Sequence, residues 1–232
     1  MKQQKTALVL SAGGMFGAYQ AGVYKAIHGL VDIDMVVGAS VGVLNRWPIA
    51  AGCSPDELIE HWLDAGAAGK ALKLFDSSPL RAAAEDLHAR YTPRIPFGLV
   101  VFQLRGWATH LVQHPDITPS HLLAACSIPF VLPPVRIAGR RYIDGGVFAK
   151  LPVFAALAMG ATRIIAVDVL PDFNPWRHDP AGPDVTLIKP SEKLGDVKDI
   201  FYWKRENIAR WIDLGIRDAA QLVGKLECKE LA

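Results

Sequence analysis

The sequence has little cysteine, and its few cysteines form no recognisable pattern. Cys53, Cys126 and Cys228 are odd in number, lie far apart and form no Cys-x-x-Cys pair. This argues against a disulfide framework and a zinc site, and the histidines show no metal-ligand spacing. We therefore expect a protein without a bound metal, working in the reducing cytoplasm.

An excess of one charge and long hydrophobic runs are also missing. The 25 Lys and Arg residues against 23 Asp and Glu give a net charge of +2, which offers no case for nucleic acid as a partner. The apolar run Ala7–Leu10 is too short for a signal-peptide core, and no stretch reaches the ~18 uninterrupted apolar residues of a membrane span. We expect a soluble protein, for which peripheral contact with a membrane surface stays open.

What the sequence does contain is a large apolar fraction. Its 232 residues are 51% hydrophobic, which is enough for one substantial core. No internal repeat, low-complexity tract or flexible linker interrupts the chain. The interpretation is a single domain over residues 1–232, whose oligomeric state is left undetermined.

The order of the elements predicts an α/β fold. Thr6–Leu10, Met35–Val37 and Arg163–Val169 are continuous, largely apolar runs, as buried parallel strands are. A helix over Ala18–Leu30 is predicted between the first two, and an Ala-rich, helix-compatible segment follows the second. This alternation is typical of helices packed on a parallel sheet.

Later segments predict three further features. Phe97–Leu104 and Trp107–Val112 are candidates for a β-hairpin. Three prolines between residues 129 and 134 predict an irregular connection. Leu194–Leu226 is predicted to be a long helical region whose Trp and Ile stripe packs on the sheet, with a membrane-facing or partner-binding stripe as the less favoured interpretation.

Three glycine-bearing turns each follow an apolar strand. They are the loop 12–17, the Gly-x-Ser-x-Gly turn 38–42, and Asp144-Gly145-Gly146. Ligand sites in open parallel sheets form at the carboxyl ends of the strands, so we expect the three turns to meet at one edge. The second turn fits a nucleophile elbow, which lifts one serine, here Ser40, out of the backbone. The glycines that support these turns are Gly17, Gly38, Gly42, Gly145 and Gly146.

Together the turns carry the groups needed to cleave an ester. We expect Ser40 Oγ to attack the ester carbonyl, forming an acyl-enzyme, and Asp144 to take the serine proton directly or through water. The backbone N–H groups of Gly13, Gly14 and Met15 are the candidate oxyanion hole.

The same residues resemble a known family. The run Ala7–Val23 and the segments Asp34–Asn45 and Tyr142–Val147 are similar to the first loop, the serine motif and the aspartate motif of patatin-like phospholipases. Cys126–Pro129 and Gly160–Val167 resemble its connecting segments. The resemblance implies a three-layer α/β/α patatin-like fold with a mostly parallel central sheet. It also implies hydrolysis of lipid esters, of the phospholipase A or carboxylic esterase type, by a Ser–Asp dyad without histidine or cofactor.

Several positions depart from that family's pattern. Ala12 replaces a glycine of the first loop, which matters if the position needs a positive φ. Phe16 replaces an arginine, from which we infer a weaker attraction to anionic head groups and a better fit to neutral esters. Lys150 stands near a position usually held by asparagine, where it either keeps the aspartate ionised or points to solvent. Arg46 and Trp47, after the elbow, are also unusual.

Other interpretations of these residues stay open. Ser40 and Asp144 can be ordinary turn residues, and the first loop can be a dinucleotide fingerprint, although its first glycine is missing. His178 completes the chain order of an α/β-hydrolase triad. Segments 66–94 and Phe97–Leu104 are candidates for a cap over the site. The function has two rivals: a catalytically weak lipid-binding or regulatory relative, and an acyltransferase that passes the acyl group to an alcohol.

Overall fold

The computed structural model describes residues 4–40, 42–64, 76–170 and 184–230. The strands are β1 (Thr6–Leu10), β2 (Met35–Gly38), β3 (Phe97–Gln103), β4 (Ala108–Gln113), β5 (Val135–Ile137), β6 (Arg140–Asp144), β7 (Arg163–Val167) and β8 (Val185–Ile188). The helices are α1 (Gly17–Ile27), α2 (Gly42–Ala50), α3 (Pro55–Leu63), α4 (Ser78–Arg90), α5 (Pro119–Ala125), α6 (Val153–Ala158) and α7 (Arg205–Glu230). Short 3₁₀ turns cover Gly14–Phe16, Gly145–Val147 and Val197–Ile200.

The strands form one mixed, mostly parallel sheet. Its order is β5-β6-β3-β2-β1-β7-β8, and β4 pairs with β3. The five strands β1, β2, β3, β7 and β8 run parallel, whereas β4 and β6 run antiparallel to β3. Leu10 at the end of β1 pairs with Gly38 on one side and Val167 on the other, so three strand ends share one edge of the sheet.

Apolar side chains leave both faces of the sheet and meet helices on each. Leu8 and Leu10 of β1 enter the larger core, which α1, α2, α3 and α7 cover. Ala7 and Val9 enter a second core under α6. Strands buried on both faces cannot alternate apolar with polar residues, which explains the continuous apolar runs in the sequence. The predicted three-layer α/β/α arrangement is confirmed.

Helix α7 lies directly against α1. A Cβ at Gly22 or Gly215 would overlap the backbone carbonyl oxygen of Ile212 or Tyr19, respectively, so only glycine permits this approach. The predicted core role of the stripe is confirmed by the burial of Ile208, Trp211 and Ile212. The helix begins later than predicted, at Arg205, after a separate 3₁₀ turn.

One sequence-based expectation about the middle of the chain is confirmed and another needs correction. Residues 127–134, which contain the three prolines, form an irregular connection, and β5 after it pairs with β6 as a second hairpin. Phe97–Leu104 is no cap: Phe97 to Phe102 are buried in the sheet. The β3–β4 hairpin is confirmed, and segment 66–94 lies partly outside the described residues. None of the helices in the described ranges is long and apolar enough to cross a membrane.

Candidate active site

The elbow and the aspartate are brought together by β3. Gly38, which ends β2, pairs with Leu99, and Asp144, which ends β6, pairs with Val101. Strand β4 occupies the other edge of β3 along this length. Strands β2 and β6 therefore lie end to end on one edge and run toward each other, so the turn that carries Ser40 meets Asp144.

Ser40 has the backbone of a nucleophile elbow. Its φ of 60° lies in the left-handed region, which is strained for a residue with a Cβ and marks functional turns. Helix α2 begins two residues later, at Gly42. The Ser40 side chain is 3% exposed, and its hydroxyl hydrogen-bonds with the Asp144 carboxylate.

A buried cation lies behind the elbow. The Arg46 side chain is fully buried, and its Nη2 donates to the carbonyl oxygens of Ala39 (2.7 Å) and Ser11 (3.4 Å). Its Nε and Nη1 have no hydrogen-bond partner among the described residues. A Cβ at Gly38 or Gly42 would overlap the guanidinium. In this chain the two motif glycines therefore make room for Arg46.

Burial controls the electrostatics of Asp144. Desolvation raises the pKa of its carboxyl from 3.8 to about 7, although the hydrogen bonds from Ser40 and the Gly146 amide (2.7 Å) and the charge of Arg46 act in the opposite direction. Burial lowers the pKa of Arg46 to about 9, and the negative charge of Asp144 opposes that change. At neutral pH, Arg46 is therefore a cation and Asp144 is close to its midpoint, where a general base is most effective.

Lys150 has neither of its predicted roles. Its Nζ forms a largely buried ion pair with Asp168 (2.8 Å) and donates to the Leu170 carbonyl oxygen. It neither appears among the groups that act on Asp144 nor points to solvent. Its backbone carbonyl accepts from the Ala12 amide (2.8 Å), which joins the first loop to the segment after the aspartate motif.

The first loop presents free amides. Gly13, Gly14 and Met15 are buried, and within the described residues their N–H groups donate no backbone hydrogen bond. Gly14 has φ 54°, and side chains at Gly13 and Gly14 would overlap Val169 and Ile200. Ala12 is absent from the residues with positive φ, so its replacement of glycine causes no backbone strain.

Gly146 lies where the three turns meet. A Cβ there would come 2.6 Å from Ala12 Cβ, 3.0 Å from Asp144 Oδ1 and 3.3 Å from Ala39 Cβ. A Cβ at Gly145 would lie 2.5 Å from the Val100 carbonyl oxygen of β3. The predicted meeting of the first loop, the elbow and the aspartate turn is therefore confirmed, and glycine is needed there because the three backbones are so close.

A buried polar network, missed in the sequence, fixes the first loop against α2. Gln20 Nε2 donates to the Ser11 carbonyl oxygen (2.8 Å), and Asn45 Nδ2 donates to the Gly17 carbonyl oxygen (2.8 Å) and Gln20 Oε1 (3.1 Å). Trp62 Nε1 donates to Asn45 Oδ1 (2.6 Å). Buried amides in otherwise apolar segments were the available signal, because such groups are almost always paired.

The two unusual aromatic residues are core residues. Phe16 is 3% exposed and packs edge-to-face on Trp211 of α7, with ring centroids 4.9 Å apart. Trp47 Nε1 donates to the Tyr91 carbonyl oxygen (2.8 Å) and its ring stacks on His88. Both anchor site-bearing elements to helices.

Metal-binding residues and cysteines were considered in the sequence, and the described part of the chain shows how they are arranged. No group of three or more His, Cys, Asp and Glu side chains there has metal-binding geometry. Cys53 and Cys126 are buried free thiols. His178, the candidate third member of a triad, lies outside the described residues.

Comparison with known families agrees with this arrangement. A family model described as "Patatin-like phospholipase" matches residues 8–75 and 114–157, which contain all three turns. The family model and the curated relatives support assignment of the chain to the patatin-like phospholipase family.

The curated relatives that match are much longer chains. Lysophospholipase NTE1 of Mycosarcoma maydis is 26% identical over 252 residues, and that of Eremothecium gossypii is 27% identical over 191 residues. The alignments cover 85% and 72% of this chain but 13% and 12% of the relatives. The chain therefore spans about one eighth of their length.

A solved structure supports the fold. The crystal structure of VipD from Legionella pneumophila matches with a TM-score of 0.59 over 96% of this chain and 67% of that chain, at 12% sequence identity. At this identity the likeness concerns the fold, which is the predicted patatin-like α/β fold.

Proposed function

We propose that this chain is a lipid acyl hydrolase that cleaves carboxylic ester bonds through an acyl-enzyme on Ser40. One observation carries the proposal: Ser40 lies on a left-handed elbow and hydrogen-bonds with a buried carboxylate whose pKa is raised to about 7. A strained turn and a base near neutrality are the features that activate a serine hydroxyl. The family, and the name lysophospholipase of the relatives, support a lipid ester as the substrate class.

In the first half of the reaction, Ser40 Oγ attacks the ester carbonyl and its proton passes to ionised Asp144. The carbonyl oxygen becomes an oxyanion, which the amides of Gly13, Gly14 and Met15 stabilise by donation. These amides suit the role because they have no backbone acceptor among the described residues. Collapse breaks the ester C–O bond, the alcohol leaves with the proton from Asp144, and the acyl group stays on Ser40.

In the second half, water replaces the alcohol. Asp144 accepts a proton from the attacking water, the same amides stabilise the second oxyanion, and collapse returns the proton to Ser40 as the fatty acid leaves. Arg46 keeps a positive charge near the carboxylate throughout. This favours the ionised form that both halves of the reaction need.

Labelling by a fluorophosphonate and turnover of a soluble short-chain ester and of lysophosphatidylcholine test the proposal. We expect Ser40→Ala to lose the label and turnover, and Asp144→Asn to lower kcat by about 10³-fold, within the range for a lost general base. Ser127→Ala is the matched control: Ser127 is also buried, and its hydroxyl donates to the Leu123 carbonyl oxygen instead.

Three outcomes would contradict the proposal. A label that persists in Ser40→Ala would place the nucleophile elsewhere. A wild-type chain that neither labels nor turns over any ester would favour a lipid-binding relative. Turnover that requires an added alcohol or lysolipid acceptor would favour an acyltransferase.

A further inference from the structure

Two hairpins rise above the sheet edge that carries Ser40. Strand β2 ends at the level of Leu99, whereas β3 continues to Gln103. Beyond it, the Leu104 amide donates to the Arg141 carbonyl oxygen (3.0 Å), and Arg141 pairs with Arg136 of β5. The turns of both hairpins therefore project past the strand ends on the side of the candidate active site.

The projecting ends carry four arginines at one level. We define the hairpin rim as these arginines with Trp107: Arg105, Arg136, Arg140, Arg141 and Trp107. All five side chains are exposed, and no arginine of the rim forms an ion pair with a described residue. The register sets this level: Arg136, Arg140 and Arg141 lie on the last two rungs of the β5–β6 hairpin, and Arg105 lies in the turn between β3 and β4.

The segment of chain that carries the rim has no acidic side chain close enough to neutralise the four arginines. Residues 97–148 contain two acidic residues, Asp116 and Asp144. Asp144 is buried in the candidate site. Asp116 follows the far end of β4, where Gln113 pairs with Gly98, so it lies at the opposite end of the hairpin. The rim is therefore a concentrated positive charge facing solvent.

Two aromatic side chains of this part of the fold are exposed to solvent, one in the rim and one in the loop before β5. Trp107 is 70% exposed, has φ 52° and packs against the stacked rings of Phe102 and Phe148. Phe130 is 92% exposed with φ 66°. Its loop begins at Ser127, whose carbonyl oxygen accepts from the Asp144 amide (3.0 Å). Left-handed backbone is costly for bulky residues and persists mostly at functional surfaces.

We propose that the hairpin rim and Phe130 form the docking surface of this chain for an anionic lipid bilayer. The arginines would contact lipid phosphates and carboxylates, each adding attraction to an anionic leaflet. The amphipathic ring of Trp107 and the ring of Phe130 would enter the interfacial layer of the bilayer. Only the consequence for catalysis rests on the proposed function: docking would place a lipid ester at the sheet edge that carries Ser40.

The test is sedimentation with vesicles of phosphatidylcholine, with or without phosphatidylserine, using the 232-residue chain that carries Ser40→Ala. The binding result then does not depend on turnover, which the soluble ester measures separately in the wild-type chain. We expect binding to the anionic vesicles that weakens with added salt. Adding Arg140→Gln and Arg141→Gln should weaken it by about 25-fold, or about fivefold per arginine. Arg81→Gln, an exposed arginine of α4 without a described ion pair, is the matched control and should bind normally.

Quenching by brominated lipids tests the aromatic part of the surface. Tryptophan fluorescence of a vesicle-bound chain that carries Trp176→Phe should be quenched, and adding Trp107→Phe should remove most of that quenching, because Trp47, Trp62 and Trp211 are buried and Trp203 is half-buried. Equal binding to neutral vesicles, or anionic binding that the paired arginine substitutions leave unchanged, would overturn the proposal. The proposal would also be overturned if the chain bound single-stranded RNA through these arginines and did not bind anionic vesicles.

Discussion

Gly38 and Asp144 end two strands that run toward each other along the same edge of β3. Their partners on β3, Leu99 and Val101, are two residues apart. The distance between the elbow and the carboxylate is therefore set by the hydrogen-bond ladder of a central strand that β4 holds from its other edge. The proposed dyad therefore needs no flexible loop to bring Ser40 and Asp144 together.

The pH dependence of turnover should follow Asp144. Its pKa is raised to about 7, and a general base acts when ionised, so kcat/KM should rise with pH and level off above that value. Arg46→Met removes a charge that favours ionisation, so the midpoint should move to higher pH. The measurement is kcat/KM for a soluble ester between about pH 5 and 9. A midpoint that stays in place would mean that Arg46 does not act on the carboxylate.

The same carboxylate should make stability depend on pH. Because its folded pKa lies above the unfolded value of 3.8, the folded chain holds a proton that the unfolded chain has lost between about pH 4 and 7. Stability therefore falls as pH rises through that window. The Asp144→Asn variant has no carboxyl here and does not lose stability in this way. The Tm difference between the variant and wild type should therefore shift in favour of the variant by several °C from pH 5 to pH 8. Asp116→Asn, at an exposed turn, is the control, and an equal response of both variants would exclude this interpretation.

Gly146→Ala should separate the three turns. The new Cβ would lie 2.6 Å from Ala12 Cβ and 3.0 Å from Asp144 Oδ1, so the backbone must shift at the proposed dyad, and small displacements there cost about 10²-fold in rate. Gly160→Ala provides a control for destabilisation, since Gly160 has φ 90° but open space around its Cβ position. It should lower Tm without a comparable loss of kcat. Similar kcat losses in both variants would show that folding, not geometry, is responsible.

Lys150→Met should affect stability and leave the pH midpoint of turnover unchanged. Without Lys150, the buried Asp168 carboxylate loses its ion-pair partner, which costs about 3 kcal/mol in comparable pairs. Adding Asp168→Asn should restore much of the lost stability, as chemical denaturation would measure. A shifted pH midpoint in Lys150→Met would show that the charge of Lys150 does affect the pKa of Asp144.

Local patterns in the sequence determined the buried parallel strands, the three glycine-bearing turns and the family resemblance of this protein. Strands buried on both faces need unbroken apolar runs, and the sharp turns at Ser40 and Gly146 need glycine where backbones approach closely. These requirements act within a few residues, so they are visible without a structure. The alternation of strands and helices, and the three glycine-bearing turns at one edge, followed from them.

Only the tertiary structure decided which charges meet. Lys150 pairs with Asp168, Arg46 is the cation that acts on Asp144, and Phe16 lies in the core against Trp211. The hairpin of β5 with β6, and the arginines that it places beside the β3–β4 turn, were hidden by a proline-rich connection. The partner of a buried charge depends on how segments distant in sequence pack. The composition of any one segment does not contain that information.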